Sequence, residues 1–152
     1  MSSQQQLQQL SQELQEIQEQ IEALQGSVEG IQQEKTEVDE AIEALETLES
    51  GSTVQVPLGG GAYLRAEIQD IDEAIVELGA DYAAEFEQDD AVDALENKKD
   101  HLDDRIDEVT SEISELEAES DQLEQQAQQL QQQAMQQQMQ QMGGQQGQGP
   151  DE

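Results

Sequence analysis

Apolar residues recur along the N-terminal third of the chain in alternating steps of three and four: Leu7, Leu10, Leu14, Ile17, Ile21, Leu24, Val28 and Ile31, the frame then passing through Lys35, Val38, Ile42 and Leu45. With Leu7 at heptad position a, these residues alternate between a and d. That period marks the narrow seam of a coiled coil rather than the broad apolar face of a globular helix. A second stripe repeats the pattern through Val92, Leu95, Lys99, Leu102, Ile106, Val109, Ile113, Leu116, Ser120, Leu123, Ala127, Leu130 and Ala134. Each helix alone would expose its stripe, and the two stripes match in length. They are expected to fold back on one another as an antiparallel hairpin, with both chain ends at the same tip.

Residues 50–90 change character. Val54, Val56 and Leu58 alternate with polar neighbours, Gly59-Gly60-Gly61 breaks the run, and Ala62 to Ile68 alternates again, the signature of a β-hairpin. A second hairpin is expected from Ala74 to Leu78 and from Asp81 to Phe86, joined at Gly79-Ala80. Four short strands with so little apolar area are marginal alone, and their open edges invite pairing with other chains. The insert therefore reads as an oligomerisation platform whose strands close into a barrel or stacked sheets between subunits. Val54, Val56, Leu58, Leu64, Ile68, Ile75, Val76 and Phe86 are its expected assembly residues. The predicted fold class is mainly α: a long antiparallel coiled-coil hairpin with a central insert of two β-hairpins. Its parts are a first helix over 1–49, the β insert over 50–90, a second helix over 91–142 and a disordered tail over 143–152.

Two seam positions are charged. Lys35 and Lys99 fall at a, where a cation costs stability but fixes register. Layering Ile42 against Leu95 would bring Glu34 close to Arg105 as a register pair. Gly26 and Gly30 fall at outward positions of the first helix and are read as local softening.

One Phe, two Tyr and no Trp rule out an aromatic-filled core, which agrees with a thin seam. Thirty-seven acidic residues against five basic ones give a net charge of −32. Such a surface repels phosphate and anionic lipid, so neither nucleic acid nor membrane is an expected partner. Acidic faces can simply solvate long helices; at this extreme, adaptation to a salt-rich cytoplasm is the preferred reading, because molar salt screens the self-repulsion. Without cysteine there is no thiol nucleophile and no Cys-based metal site. Met1 to Leu10 is polar and glutamine-rich, with no leader-like pattern, and the chain is expected to be cytoplasmic.

Candidate chemistry dissolves on inspection. Gly59-Gly60-Gly61 lacks the Lys-Ser/Thr pair of a phosphate loop, His101 lies at an outward c position, and Asp70, Asp72 and Glu73 lack the later ligands of a calcium loop. No enzyme activity and no cofactor are expected.

Helix, two hairpins and helix, with Val56-Pro57-Leu58-Gly59-Gly60-Gly61-Ala62-Tyr63-Leu64-Arg65-Ala66 at the first turn, resembles the prefoldin family in its archaeal alpha class, over about Leu7 to Leu130. The resemblance implies a heterohexamer of two alpha and four beta subunits with a double β-barrel body. It also implies an ATP-independent holdase that binds unfolded proteins between coiled-coil tips and passes them to a group II chaperonin. The extreme acidity and the Gln- and Met-rich tail depart from the family pattern. At the expected tip, Met135, Met139 and Met142 are spaced four and three apart but lie off the seam frame, and flexible thioethers suit promiscuous apolar contacts. With Leu7, Leu10, Leu123 and Leu130 they form the candidate client-binding set. The competing reading is a client-free coiled-coil scaffold or filament.

Overall fold

The computed structural model describes residues 2–147, with side chains as far as 142. Two long helices enclose four short strands in the order α1 (Ser3–Thr47), β1 (Thr53–Gly59), β2 (Ala62–Glu67), β3 (Ala74–Gly79), β4 (Tyr82–Phe86) and α2 (Gln88–Gly147). The chain divides into two compact units. One comprises residues 28–108; the other joins residues 1–27 to 109–152.

In the unit formed by the two ends of the chain, α1 opens with a capping box. Ser2 Oγ accepts the Gln5 N–H and Gln5 Oε1 accepts the Ser2 N–H, so two donors of the first turn are satisfied reciprocally. The stripe residues of both helices are withdrawn from solvent, with Ile17 and Ile21 buried and Leu7, Leu10, Leu14 and Leu24 half-buried. Shared grooves bring Leu10 beside Leu130, Ile17 beside Leu123 and Leu24 beside Leu116, an antiparallel order. On α2 the withdrawn stripe stops at Ala134; the next two positions in the frame, Gln137 and Gln141, are exposed.

The other unit holds the tightest core. Ile31 and Val38 of α1, Val76 of β3, and Ala91, Leu95 and Leu102 of α2 form one buried cluster, with Ala74 and Phe86 packed against it. Lys35 pairs with Asp103 at 2.6 Å and Lys99 with Asp39 at 2.7 Å. Each seam lysine therefore reaches the aspartate one helical turn after the other lysine. This reciprocal pair replaces the expected Glu34–Arg105 contact, which is not among the ion pairs of the described residues. The lysines lean out of the seam to carboxylates at its edge, so their stems fill the layer while their charges stay wet.

The hairpins are structural duplicates. β1 pairs with β2 from Thr53↔Glu67 to Gly59↔Ala62, and β3 with β4 from Ala74↔Phe86 to Gly79↔Tyr82. Twenty residues apart, they share one register and one irregularity, which leaves Leu58 and Leu78 unpaired before the turn. Positive φ angles at Gly59, Gly60 and Gly61 recur at Gly79, Ala80 and Asp81. The turn tip is thus Ala80-Asp81, with Gly79 still paired to Tyr82, one step beyond the expected joint.

Helix α2 begins at Gln88, three residues ahead of the expected start. Its cap is remote: Asp72 Oδ1 accepts the Gln88 N–H at 3.1 Å. Gln88 Nε2 in turn donates to the carbonyls of Leu45 and Leu48, closing the C-terminal end of α1. Asp70 Oδ1 accepts the Asp72 N–H at 3.0 Å, so these carboxylates serve the turn that positions the cap. At its other end α2 runs on to Gly147, through the first part of the expected tail. The rest of that tail, 148–152, lies outside the described residues.

Candidate functional site

Two surfaces gather the residues singled out from the sequence. The first is the β insert. Val56, Leu58, Leu64 and Ile75 are exposed, and Val54 and Ile68 are half-buried. Tyr63, Leu78 and Tyr82, which were not singled out, are exposed beside them. Leu78 holds the place in the second hairpin that Leu58 holds in the first, so the duplication of the two hairpins would have found it.

Val76 and Phe86, two of the expected assembly residues, pack within the chain itself. Val76 retains 5% exposure against 42% for Val56, its counterpart in the first hairpin, because it sits in the chain's own core. Phe86 packs against the same core. The second hairpin packs its Val76 and Phe86 side into the core and turns Ile75 to solvent on the other face, while Tyr82 is exposed at the end of β4 next to the turn. The first hairpin keeps most of its apolar side chains free.

The second surface lies in the unit formed by the chain ends. A groove of about 370 Å³ is lined by Leu10 and Leu130 and by Gln6, Gln9, Gln126, Gln129 and Gln133, with Glu13 at its border. Leu7 and Leu123 are half-buried in the stripe on either side. Met135, Met139 and Met142 keep 66%, 72% and 68% of their surface exposed. The structure thus separates the seven expected contact residues: the four leucines belong to the seam, and the three methionines form a stripe outside it.

Charge draws a boundary here. No ionisable side chain occurs in residues 2–12 or 125–147, although the remainder of the chain carries the whole net charge of −32. Glu13 and Glu124 mark the two edges of this charge-free cap. The glutamines of the groove belong to it and were not singled out as functional, yet the abrupt stop of acidic residues would have found them. All five cations lie between Lys35 and Arg105, in the other unit. There the hydrogen bond from Lys99 to Asp39 raises the ammonium pKa above its ordinary value against a smaller effect of burial, with Asp39, Asp103 and Asp100 adding their fields.

The arrangement offers apolar and amide contacts without a reactive constellation. Among the described residues no cluster of His, Cys, Asp or Glu has metal-site geometry, and no helix is long and apolar enough to cross a membrane. His101 is exposed, as its outward position implied.

The family profile described as Prefoldin subunit matches residues 17–133, most of the chain and all four strands. The chain belongs to the prefoldin family. Among prefoldins, it is 67% identical over 52 residues to a Prefoldin subunit alpha from Halorubrum lacusprofundi and 69% identical over 52 residues to one from Haloquadratum walsbyi. Each match covers 34% of this chain, and the chain spans about a third of the length of those curated relatives. Filamentous PFD from Methanocaldococcus jannaschii, solved by cryo-electron microscopy, has the same fold at a TM-score of 0.50 and 23% identity, covering 77% of this chain and 93% of that one. The prefoldin fold accounts for paired helices with two hairpins between them, and the acidic composition accords with relatives from haloarchaea.

Proposed function

We propose that this chain is the alpha-type subunit of an ATP-independent holdase. In this reading two copies join four beta subunits through the β insert, and the assembly works in the cytoplasm. Unfolded proteins are held at the charge-free caps and passed to a group II chaperonin. Membership in the prefoldin family supports a chaperone role. The observation that carries the reading is the cap itself: in a chain of charge −32, residues 2–12 and 125–147, which bear the exposed methionines and all of the Leu10–Leu130 groove but Glu13, have no ionisable side chain.

Apolar contacts to a non-native chain are individually weak. Several caps engaging one client raise the effective affinity by converting later contacts into intramolecular ones. Methionine adapts to many apolar shapes, and glutamine carboxamides both donate to and accept from an exposed peptide backbone. Acidic walls outside the cap oppose non-specific adhesion.

Deleting residues 131–152 tests the assignment. The shortened subunit should still assemble, because every strand and the core around Val76 remain. Suppression of client aggregation in molar salt without ATP should weaken, by about tenfold in the concentration needed if the cap supplies several contacts. Unchanged suppression by an intact assembly would remove the cap from the mechanism.

A structural scaffold remains the second reading, favoured by the filamentous state named for the M. jannaschii protein. Mass measurement separates the two: filaments of this chain without client protection support the scaffold, and a discrete hexamer with client protection supports the holdase.

A further inference from the structure

We propose that Met135, Met139 and Met142 are sulfoxidation sites through which peroxide lowers the cap's hold on unfolded polypeptide. The proposal rests on the holdase reading above and adds a chemical control of the same surface.

Three observations lead to it. First, apart from Met1 these residues contain all the sulfur of the chain, which has no cysteine, and there is no tryptophan to compete for oxidant. Second, each keeps about two-thirds or more of its surface open to solvent, so a small oxidant reaches the thioethers without any opening of the fold. Third, all three stand outside the seam, whose withdrawn stripe ends at Ala134. A change in their polarity therefore leaves the helix pairing and the β insert untouched.

The chemistry balances with one named co-reactant. A thioether lone pair attacks one oxygen of hydrogen peroxide, the O–O bond breaks, and a sulfur–oxygen bond forms. The departing hydroxide takes up the proton from the transferred oxygen and leaves as water, so sulfur is oxidised and peroxide reduced. The product is polar where the thioether was apolar. On each helical face a carboxamide stands one turn before the methionine, with Gln131 and Gln132 before Met135, Gln136 before Met139 and Gln138 before Met142. Their N–H groups can donate to the new sulfoxide oxygen and favour the polar state. Modification at three positions on one stripe replaces an adaptable apolar surface by a hydrated one, and methionine sulfoxide reductases provide the return path.

The test uses the full chain in its assembly, treated with hydrogen peroxide that is then destroyed by catalase before urea-unfolded citrate synthase is diluted in. Mass spectrometry should show one added oxygen at each of the three methionines, formed at about the rate of free methionine. Helix content and assembly mass should stay constant, while half-suppression of aggregation should require about tenfold more protein. A methionine sulfoxide reductase should restore protection, and in the M135L/M139L/M142L variant whatever protection is measured before peroxide should be unchanged after it. Oxidation slower than that of free methionine by about tenfold would overturn the proposal. So would full protection by the oxidised protein, or the same loss in the leucine variant. Absence of protection before any oxidation would instead remove the holdase reading, and the switch with it.

Discussion

Replacing Gln88 by alanine isolates the junction where the two helices and the second hairpin meet. Its carboxamide donates to the carbonyls of Leu45 and Leu48, two of the groups that the end of α1 leaves without helical partners. Its backbone N–H is held by Asp72 whatever the side chain, so Gln88→Ala removes the α1 contacts and spares the α2 cap. Each hydrogen bond of this kind contributes about 0.5–1.5 kcal/mol, which puts the loss near 2 kcal/mol. For a chain of this length that corresponds to a fall of about 4–8 °C in the unfolding midpoint. The measurement is thermal unfolding by far-ultraviolet circular dichroism, at fixed protein concentration in molar potassium chloride. Gln88→Glu sharpens it: a carboxylate has the same reach but nothing to donate, and it faces two carbonyl oxygens. It should lie below the alanine variant at neutral pH. A Gln88→Ala midpoint equal to wild type, or a glutamate variant more stable than the alanine one, would refute the clamp.

Three further expectations follow from the same unit. Val76→Ala should destabilise the folded chain by about 2 kcal/mol through lost apolar burial, while Ile75→Ala, 74% exposed, should leave its unfolding unchanged and weaken assembly; denaturant unfolding and mass measurement read the two effects. Ala80→Gly should stabilise the second hairpin by about 1 kcal/mol, because Ala80 has a φ of 51° where the first hairpin places glycine; slower amide exchange in β3 and β4 would register it, and unchanged exchange would count against strain there. Lys99 has its folded pKa raised above the ordinary 10.5, so its contribution is complete below that pH and is lost as pH climbs through the folded value. Wild type should consequently lose stability more steeply than Lys99→Met above about pH 10.5, and parallel curves would discount the Asp39 contact.

Periodicity carried most of the architecture because a seam is a local property: each residue from Leu7 to Leu45 and from Val92 to Ala134 that fell in frame is buried or half-buried. The loss of the frame at Gln137 was equally readable. What escaped is long-range. Val56 and Val76 occupy equivalent places in duplicate hairpins, and only the burial of the second in the cluster formed with the two helices distinguishes them. The start of α2 was obscured because its cap, Asp72, lies sixteen residues upstream in another turn. The register pair escaped for a similar reason: Lys35 and Lys99 bend toward Asp103 and Asp39, a choice governed by side-chain reach rather than by heptad lettering.

The absence of acidic residues from 2–12 and 125–147 carries a thermodynamic consequence. Binding by ionised groups displaces condensed counter-ions, so its strength drifts with the ionic composition of the medium. A cap built from carboxamides, leucines and thioethers has no counter-ion atmosphere of its own to release. An apolar contact made there answers to salt through salting-out, strengthening as brine concentrates, while the fields around the rest of the molecule are screened.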